Sequence, residues 1–336
     1  MRTFTTLTIL FLFSGLLYAE DAKKLTADKD RIIKTIRFLS EENFHRSASM
    51  ENKEKTIDYL SQSFSASGFE VTREVFAVKT IICDPDFPAS GINDENVVIE
   101  VRRNPLPSIN IHALKKGKGN KRIVVAAHHD AVPKAPAADD NASGVAVLVE
   151  LAHMLKETPE LNCDVELVSH DEEELGLFGS RYHARKLKKQ KVDVVCMLCM
   201  DMVGYYSDEE NSQNYPIGGM SSLYGTKGDS LAMIGRPQDT KLIAAAQKAF
   251  REAATLRVVA LPAPPGLDLA LSRSDHAPFW WEGYPALFFT DTADFRNKNY
   301  HKETDTWDTL DYDRLAQVPV GLYAIIMAVD AAQAPK

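Results

Sequence analysis

Histidine and carboxylate side chains recur in five short clusters, and such side chains bind divalent metal ions and transfer protons in proteins. The clusters are His128-His129-Asp130, Asp139-Asp140, Asp171-Glu172-Glu173-Glu174, Asp201 and Tyr300-His301. Each cluster alone is weak evidence, because acidic runs usually form a solvated surface. Imidazole and carboxylate groups together, however, suit zinc and similar divalent ions. The residue types therefore predict a metal site if the fold brings the clusters together.

These groups are numerous enough for more than one ion. Two imidazoles and three carboxylates, one of which bridges, can hold two metal ions about 3.5–4 Å apart. Two divalent ions would keep a net positive charge among them, which leaves room for a bound hydroxide. A further carboxylate beside that water would act as a general base. The chemistry that follows is metal-assisted hydrolysis.

The clusters stand where apolar strands end. The strand RIVVAAH ends at His128, CDVELVSH precedes Asp171, VDVVCMLCM precedes Asp201, and YPALFFT leads through a loop to His301. Residues 139–140 precede a helix, SGVAVLVELAHMLKE, with apolar residues at helical spacing. In an open α/β sheet, ligands bind beyond the carboxyl ends of the strands. We therefore expect the clusters to meet at one edge of a sheet.

Strands alternate with helices along most of the chain. Helices are predicted at 29–40, 53–68, 143–157, 180–190, 240–254 and 312–333, and further strands at 69–78, 96–101, 109–114 and 231–235. Residues 204–230 form a long polar loop in this interpretation, and a proline-rich loop lies around 262–266. This alternation, with continuous apolar runs, predicts an α/β sandwich on a mostly parallel sheet.

The composition is that of a soluble globular protein, with 336 residues, a formal net charge of −8 and 45% hydrophobic residues. The acidic balance argues against nucleic acid as a partner, because neutralising phosphates needs clustered Lys and Arg. Residues 1–19 combine Arg2, an apolar stretch and Ala19, which is the pattern of a secretory signal peptide. We expect an exported protein, periplasmic or secreted, with one domain over residues 20–336 and no membrane anchor after leader removal.

The four cysteines are too few for a disulfide scaffold in a chain of this length. They are Cys83, Cys163, Cys196 and Cys199. Cys196 and Cys199 form a C-x-x-C pattern inside an apolar strand, where residues three apart point to opposite faces. They are interpreted as buried free thiols rather than as a metal or redox motif.

The order of six motifs resembles a known group of enzymes. The motifs are H-x-D at 128–130, A-D-D-N-A-S-G-V at 138–145, E-E-L-G-L-x-G-S at 173–180, M-D-M-V-G-Y at 200–205, S-D-H-x-P-F at 274–279 and Y-H at 300–301. This series resembles the exported di-zinc aminopeptidases of the clan MH metallopeptidases, whose family also holds glutamate carboxypeptidase II and glutaminyl cyclase. The resemblance implies a three-layer αβα sandwich on a mixed, mostly parallel sheet, as in zinc exopeptidases.

The resemblance also implies a role for each ligand residue. His128 and Asp201 would bind one Zn²⁺ ion, Glu174 and His301 would bind the other, and Asp140 would bridge them. The substrate would be a peptide with a free N-terminus, hydrolysed by a water molecule that bridges the two zinc ions.

Two further residues would act on that water or on its ligands. By the same resemblance Glu173 would be the general base, and Asp130 would hydrogen-bond His128 and fix its tautomer. The E-E-L-G pattern selects Glu173 and Glu174 from three successive acids, which leaves Glu172 as surface charge. His129 would point away from the metals, as the neighbour of a strand residue does.

The resemblance implies two local features as well. Ser274, Asp275 and His276 would support the His301 side of the site. The peptide bond between Asp140 and Asn141 would be cis.

Three other functions stay open at this point. A glutaminyl cyclase, with a single zinc, keeps much the same ligand positions, although Asn141 follows the peptidase pattern. A glutamate-type carboxypeptidase needs basic residues for the substrate carboxylate, and Arg273 and Arg296 lie near the right segments. A non-catalytic exported binding protein is disfavoured by the complete ligand set. Motifs of zincins, serine hydrolases and nucleotide-binding proteins are absent from the sequence.

The substrate pocket is expected between the 204–230 loop and the proline-rich segment. Its aromatic candidates are Tyr205, Phe279, Trp280, Phe288 and Phe289. Phe288 and Phe289 are adjacent on a strand and cannot both face the site.

Overall fold

A computed structural model describes residues 26–44, 46–76, 80–81, 99–100, 107–263 and 271–334. The predicted signal peptide, Cys83 and most of the proline-rich loop lie outside the described residues.

Ten strands are described. In chain order they are β1 (Glu70–Phe76), β2 (Thr80–Ile81), β3 (Ile99–Glu100), β4 (Ser108–Lys115), β5 (Lys121–His128), β6 (Asp164–His170), β7 (Asp193–Met200), β8 (Ser230–Gly235), β9 (Arg257–Pro262) and β10 (Ala286–Thr290). Strands β2 and β3 pair with each other, and the other eight form one sheet in the order β1-β4-β6-β5-β7-β10-β8-β9.

Nine α-helices accompany the strands in the described part of the chain. They are α1 (Lys29–Arg37), α2 (Met50–Ala66), α3 (Gly144–Lys156), α4 (Phe178–Lys189), α5 (Met220–Tyr224), α6 (Thr240–Ala253), α7 (His276–Trp281), α8 (Tyr312–Leu315) and α9 (Gln317–Ala331). Each helix that the sequence predicts has a counterpart among them, and α5 adds a short turn of helix inside the predicted 204–230 loop.

The sheet is mixed and mostly parallel, as expected. The four central strands β6, β5, β7 and β10 run parallel to one another. On one side β4 and β1 continue the sheet antiparallel, and on the other β8 is antiparallel to β10. The edge strand β9, parallel to β8, was not predicted. It ends at Pro262, which cannot donate to a ladder and is tolerated at a sheet edge.

Helices cover both faces, which confirms the three-layer αβα sandwich. One apolar core lies between the sheet and helices α1, α2, α3, α6 and α9, and a smaller one lies under α4 and α7. Strand β5 shows the reason, because Ile123 and Val125 point into the first core and Val124 into the second. The parallel strands are therefore buried on both sides and carry continuous apolar sequence.

Helix α9 is a core helix. Residues Tyr312–Ala331, which span α8 and α9, are long and apolar enough to cross a membrane, but most of them are buried within the protein. Helix α9 packs against α3 and α6. A Cβ atom on Gly321 would lie 2.2 Å from the ring of Phe250 in α6, so only glycine allows this close approach.

Three cysteines are free and buried. Cys196 belongs to one core and Cys199 to the other, so they point to opposite faces of β7. Cys163 is also a buried thiol. The interpretation of the C-x-x-C pattern as two separate buried thiols is confirmed.

A buried histidine ties the antiparallel side of the sheet together. His112 in β4 lies with Nδ1 2.9 Å from Glu166 Oε1 and Nε2 3.1 Å from Glu74 Oε2. Burial lowers the pKa of His112, but the hydrogen bonds to Glu166 and Glu74 outweigh it and raise the pKa to about 9. Arg122 and Lys186 pair with the same two carboxylates. His112 is therefore an imidazolium held between the carboxylates of Glu74 and Glu166, with which Arg122 and Lys186 also pair.

We expect the contribution of His112 to stability to depend on pH. Its pKa in the folded protein is about 9, above the ordinary value of 6.5, so the stabilisation is complete below about pH 6.5. It is lost as the pH rises through about 9. The charged groups that face the ring are Glu74, Glu166, Arg122 and Lys186, with His183 beside it.

The measurement is urea unfolding of the wild type and of His112→Gln between pH 6 and pH 10. The difference in free energy of unfolding should be largest at pH 6, should shrink as the pH rises above about 6.5 and should level off above about pH 9. His153→Gln is the matched control, because the pKa of that half-buried histidine is lowered by burial. Its difference should stay constant over pH 7–10, and a constant difference for His112→Gln would contradict the assignment.

Candidate metal centre

The predicted clusters meet at one edge of the central sheet. His128 is the last residue of β5, Asp201 directly follows β7, and residues 171–174 directly follow β6. Strands β5, β6 and β7 are parallel neighbours, so their carboxyl ends lie side by side. His301 reaches this edge from the loop that follows β10. The expected convergence at the strand ends is present.

Asp140 lies between the two halves of the site. Its Oδ1 is 3.4 Å from Nε2 of His128, and its Oδ2 is 3.1 Å from Nε2 of His301. On the first side Asp201 Oδ1 is 3.4 Å from the same nitrogen of His128. On the second side Glu174 Oε2 is 3.1 Å from the same nitrogen of His301. One carboxylate therefore faces two imidazole–carboxylate pairs.

Glu173 and Asp130 complete the arrangement. Glu173 Oε2 lies 4.0 Å from His128 Nε2, on the side that Asp201 shares. Asp130 Oδ1 lies 3.2 Å from His128 Nδ1, the ring nitrogen that faces away from the other acids. The two oxygens of Asp130 also accept the backbone N–H groups of Glu173 and Glu174, both at 3.1 Å. Asp130 therefore lies against His128 and holds the turn that carries both glutamates.

The position of Asp140 depends on a second buried acid, Asp305, which sequence reasoning missed. Asp305 accepts the backbone N–H groups of Asp139 and Asp140 at 3.0 and 3.1 Å. Its sequence context, a polar loop, carries no signal of this role. The Asp140–Asn141 peptide bond is cis, as the resemblance implied. Asn141 then donates from its side chain to the backbone oxygen of Met200 at the end of β7.

Several side chains of the metal centre lie at or next to residues with a left-handed backbone conformation. Positive φ angles occur at Ala137 (55°), Glu172 (58°), Met202 (55°) and His301 (60°), next to or within the clusters. Residues other than glycine adopt this region only at a cost of about 1–3 kcal/mol. Tertiary contacts must hold these turns, because the local sequence does not favour them.

The electrostatics reflect crowded acids in a buried place. Burial raises the pKa of Glu173 well above its ordinary range, and it raises the pKa of Glu174 to about 7 with help from Asp140. Burial also raises the pKa of Asp201. For Asp140 burial acts in the same direction, but hydrogen bonds from His128 and His301 outweigh it and lower the pKa. The site is therefore short of positive charge.

The donor set fits divalent metal ions. Two groups of side chains have ligand atoms within 4.8 Å of one another, His128–Asp140–Glu174 and His128–Glu173–Asp201. Glu174 Oε1 is buried and has no hydrogen-bond partner among the described residues. Imidazole nitrogen and carboxylate oxygen are the ligands that zinc accepts. Cations at these positions would satisfy this oxygen and offset the crowded negative charge.

Three expectations near the site were wrong. Ser274, Asp275 and His276 do not lie on the His301 side. Ser274 hydrogen-bonds Asp201, and Asp275 pairs with His170 at 3.1 Å. His276 bonds the backbone oxygen of Leu271 and stacks on Phe288. Helix α7 begins at His276 and lies under β7 and β10, so its first residues face the Asp201 half.

Glu172 is not a free surface charge. Its Oε1 is 2.9 Å from Nζ of Lys53, which also binds Asp171 at 2.8 Å. The lysine comes from helix α2, far away in sequence, so the pattern of adjacent acids could not reveal this pairing. His129 does point away from the metal groups, as expected, with Nδ1 3.0 Å from Ser169 Oγ.

A cavity of about 540 Å³ opens beside the acids. Its apolar wall includes Ile234, Leu261, Leu271, Phe288 and Trp281. Residues from the predicted 204–230 loop, 213–216 and Met220, form another part of the wall.

Of the aromatic candidates for this pocket, Phe288 is the one confirmed as a wall residue. Phe289 is part of the core on the other face of the sheet, as strand alternation required. Phe279 and Trp280 are buried in the smaller core, and Tyr205 is not among the wall residues. Trp281, one residue along α7, takes the place that was expected of Trp280.

The two arginines considered for a substrate carboxylate have different surroundings. Arg296 is buried and is not among the wall residues, and its guanidinium donates to backbone oxygens of Tyr205 and Ser230 and to Oε1 of the wall residue Gln213. Arg273 does line the cavity, where it pairs with Asp294 at 2.9 Å. Of the two arginines considered, Arg273 alone lines the cavity, and Arg181 lines it as well.

Comparison with known proteins gives consistent relatives. The chain is 33% identical over 318 residues to YfbL, an uncharacterized protein of Escherichia coli strain K12, which covers 89% of this chain and 88% of that protein. It is 26% identical over 241 residues to leucine aminopeptidase 1 of Uncinocarpus reesii, which covers 68% of this chain and 56% of the fungal enzyme.

Solved structures share the fold. BSAP, a zinc aminopeptidase from Bacillus subtilis, matches with a TM-score of 0.69 at 18% identity, over 90% of this chain and 95% of that one. A glutaminyl cyclase from Porphyromonas gingivalis matches with a TM-score of 0.61 at 16% identity, over 90% and 98% of the two chains. The fold is therefore common to both kinds of enzyme.

The family is decided by sequence. The model of peptidase family M28 matches residues 110–325, which include every residue of the candidate metal centre. With that match over more than half of the chain, the protein belongs to peptidase family M28.

Proposed function

We propose that this protein is an exported aminopeptidase that holds two zinc ions and hydrolyses N-terminal peptide bonds. The observation that carries the proposal is the position of Glu173. Its carboxylate is buried next to His128 and Asp201, and its backbone N–H is bound by Asp130. A buried carboxylate next to a site for cations is positioned to accept and return a proton.

The ligand roles in this proposal follow the two halves of the site. His128 and Asp201 would hold one ion, Glu174 and His301 the other, and Asp140 both, because its two oxygens face the two imidazoles. When bound, the ions supply Lewis acidity and lower the pKa of water at the site.

The remaining chemistry belongs to the protein's own groups. Glu173 takes a proton from the attacking water molecule. The oxygen of that water bonds at the same time to the carbonyl carbon of the scissile peptide. The same carboxyl group then gives the proton to the amide nitrogen, and the C–N bond breaks to release an amine and a carboxylic acid. Asp130 keeps His128 and the backbone of Glu173 in place through both steps.

The cavity supports a substrate with an apolar residue at the scissile position. Its apolar wall of Ile234, Leu261, Leu271 and Phe288 adjoins the acidic groups, and Arg181 and Arg273 also line the cavity. The relatives named above as aminopeptidases favour release of N-terminal residues over the carboxypeptidase and cyclase alternatives.

Assays of purified protein can separate these activities. Leucine p-nitroanilide should be cleaved, and an N-acetylated analogue should not be. A chelator should abolish the cleavage, and added zinc should restore it because the ligand set is intact. Cyclisation of glutaminyl peptides without release of N-terminal residues would instead indicate a glutaminyl cyclase, and release of C-terminal glutamate a carboxypeptidase.

Three adjacent acids should give three different results when each is changed to glutamine. Glu173→Gln should keep two zinc ions by elemental analysis and lose about 10²–10⁴-fold in kcat, the range for a general acid–base group. Glu174→Gln should lose zinc, since it removes a proposed ligand. Glu172→Gln should keep both metal and turnover, since that carboxylate pairs with Lys53.

The pattern across the three variants is the test. Near-normal turnover in Glu173→Gln would refute the role of general base. Full zinc occupancy in Glu174→Gln would refute the ligand assignment.

Export is a separate part of the proposal, supported by the composition of residues 1–19. The full chain expressed in a bacterial host should appear in the periplasm or medium without about 19 N-terminal residues, by mass spectrometry. A chain that lacks residues 2–19 should stay in the cytosol. Full-length protein in the cytosol with an intact leader would contradict export.

A further inference from the structure

One buried guanidinium lies against the segment that joins two of the proposed ligands. Arg46 is 2% exposed. Its nitrogens lie within hydrogen-bond distance of six backbone oxygens, those of His129 (2.6 Å), Pro136 (2.9 Å), Ala137 (3.1 Å), Leu39 (3.4 Å), Asp130 (3.4 Å) and Asp140 (3.5 Å), and Nη2 shares its two N–H groups among Ala137, Asp130 and Asp140. A guanidinium has five N–H donors in a rigid plane, so these contacts occupy the whole fork.

Five of the six acceptors belong to residues 129–140. This segment begins directly after His128 and ends at Asp140, and residues 129–137 form neither helix nor strand. Buried carbonyl groups need partners, and without a ladder they must find them elsewhere. The neighbouring Ser47 adds one more bond, because its Oγ accepts the backbone N–H of Ala131 at 3.0 Å. Residues 46 and 47 therefore supply this segment with the backbone hydrogen bonds that a neighbouring strand would supply in a sheet.

We propose that Arg46 is a positioning residue for the metal centre. By binding the carbonyl groups along residues 129–140, it sets the separation and orientation of His128 and Asp140, so that both side chains reach the same ion. Arg46 stands outside the region that the family model matches, residues 110–325. The inference rests on the proposed function, because it assumes that cations bind at this site.

Charge and geometry predict opposite effects at this position. A positive charge near bound cations repels them, so a role through charge alone would make metal binding tighter when Arg46 is neutralised. A role through geometry makes binding weaker, because the ligand-bearing segment loses its support. Lysine keeps the charge but lacks the planar fork, so Arg46→Lys isolates the geometric part.

The experiment compares wild type, Arg46→Lys, Arg46→Met and a matched control, Arg236→Lys. Arg236 also donates to two backbone oxygens, those of Trp280 and Tyr284. It directly follows β8, whose last residue, Gly235, pairs with Leu287 near the start of β10. The site lies at the other end of β10, where Asp201 bonds Phe289. The measurements are zinc affinity of the metal-free protein by competition with a chromophoric chelator, and deuterium exchange of residues 129–140 in the metal-free protein.

Arg46→Lys and Arg46→Met should both bind zinc about 10–100-fold more weakly, the range for partners that orient metal ligands. Exchange at residues 129–140 should accelerate in both, and Arg236→Lys should match the wild type in both measurements. If the Arg46 variants do not fold, as judged by circular dichroism, Ser47→Ala should show a smaller loss in the same direction.

Each other outcome overturns the inference. Zinc affinity and exchange within twofold of the wild type in Arg46→Lys would refute a geometric role, as would tighter zinc binding in Arg46→Met. If these results occurred in a protein that binds zinc and cleaves peptides, the inference would fail and the proposed function would stand. A wild type that binds no zinc would overturn both.

Discussion

The structure depends on how it compensates several carboxylates buried close together at the ends of three parallel strands. Asp130, Asp139, Asp140 and Glu173 are buried, with Asp305 beside them. A buried charge is costly unless it is paired or hydrogen-bonded, so this grouping persists only with dedicated partners. Asp130 accepts hydrogen bonds from the backbone N–H groups of Glu173 and Glu174. Asp305 accepts hydrogen bonds from those of Asp139 and Asp140. The same contacts that stabilise their charge also fix the geometry of the site.

The sheet supplies the rigid part of this arrangement and the loops supply the variable part. His128 and Asp201 are placed by neighbouring strands β5 and β7, whose register is set by the ladder. Asp140 and His301 come from irregular segments with no such ladder. The position of Asp140 depends on hydrogen bonds from the side chains of Asp305 and Arg46 to its backbone. The position of His301 depends on its left-handed backbone conformation. The His301 side chain is 37% exposed, so this half of the site is open to the cavity.

Sequence patterns predicted every strand of the eight-stranded sheet except β9, because buried strands have a local apolar signature. They also predicted that the polar clusters converge, because the carboxyl ends of parallel strands meet at one edge of the sheet. They failed where a partner comes from far along the chain. Glu172 was interpreted as surface charge because its partner Lys53 lies in a different helix. Ser274 to His276 were assigned to the wrong half of the metal centre. The direction of helix α7 across the sheet is set by its packing on β7 and β10 and cannot be predicted from the residues of the helix alone. Strand β9 was missed because it is a short apolar run next to prolines at the edge of the sheet. It is extended because it pairs with the neighbouring strand β8.

The amino-acid sequence by itself determined the fold class and the chemistry of the site. Continuous apolar runs indicate strands that are buried on both faces, and imidazole and carboxylate groups that follow parallel strands converge at the carboxyl edge of the sheet. Tertiary structure alone decided which oxygen faces which imidazole. It also decided that Trp281 rather than Trp280 lines the cavity, and that Arg46 and Asp305 hold the segment bearing Asp140. The reason is that these details depend on contacts between residues far apart in the chain, many of them to backbone groups that carry no signal in the sequence.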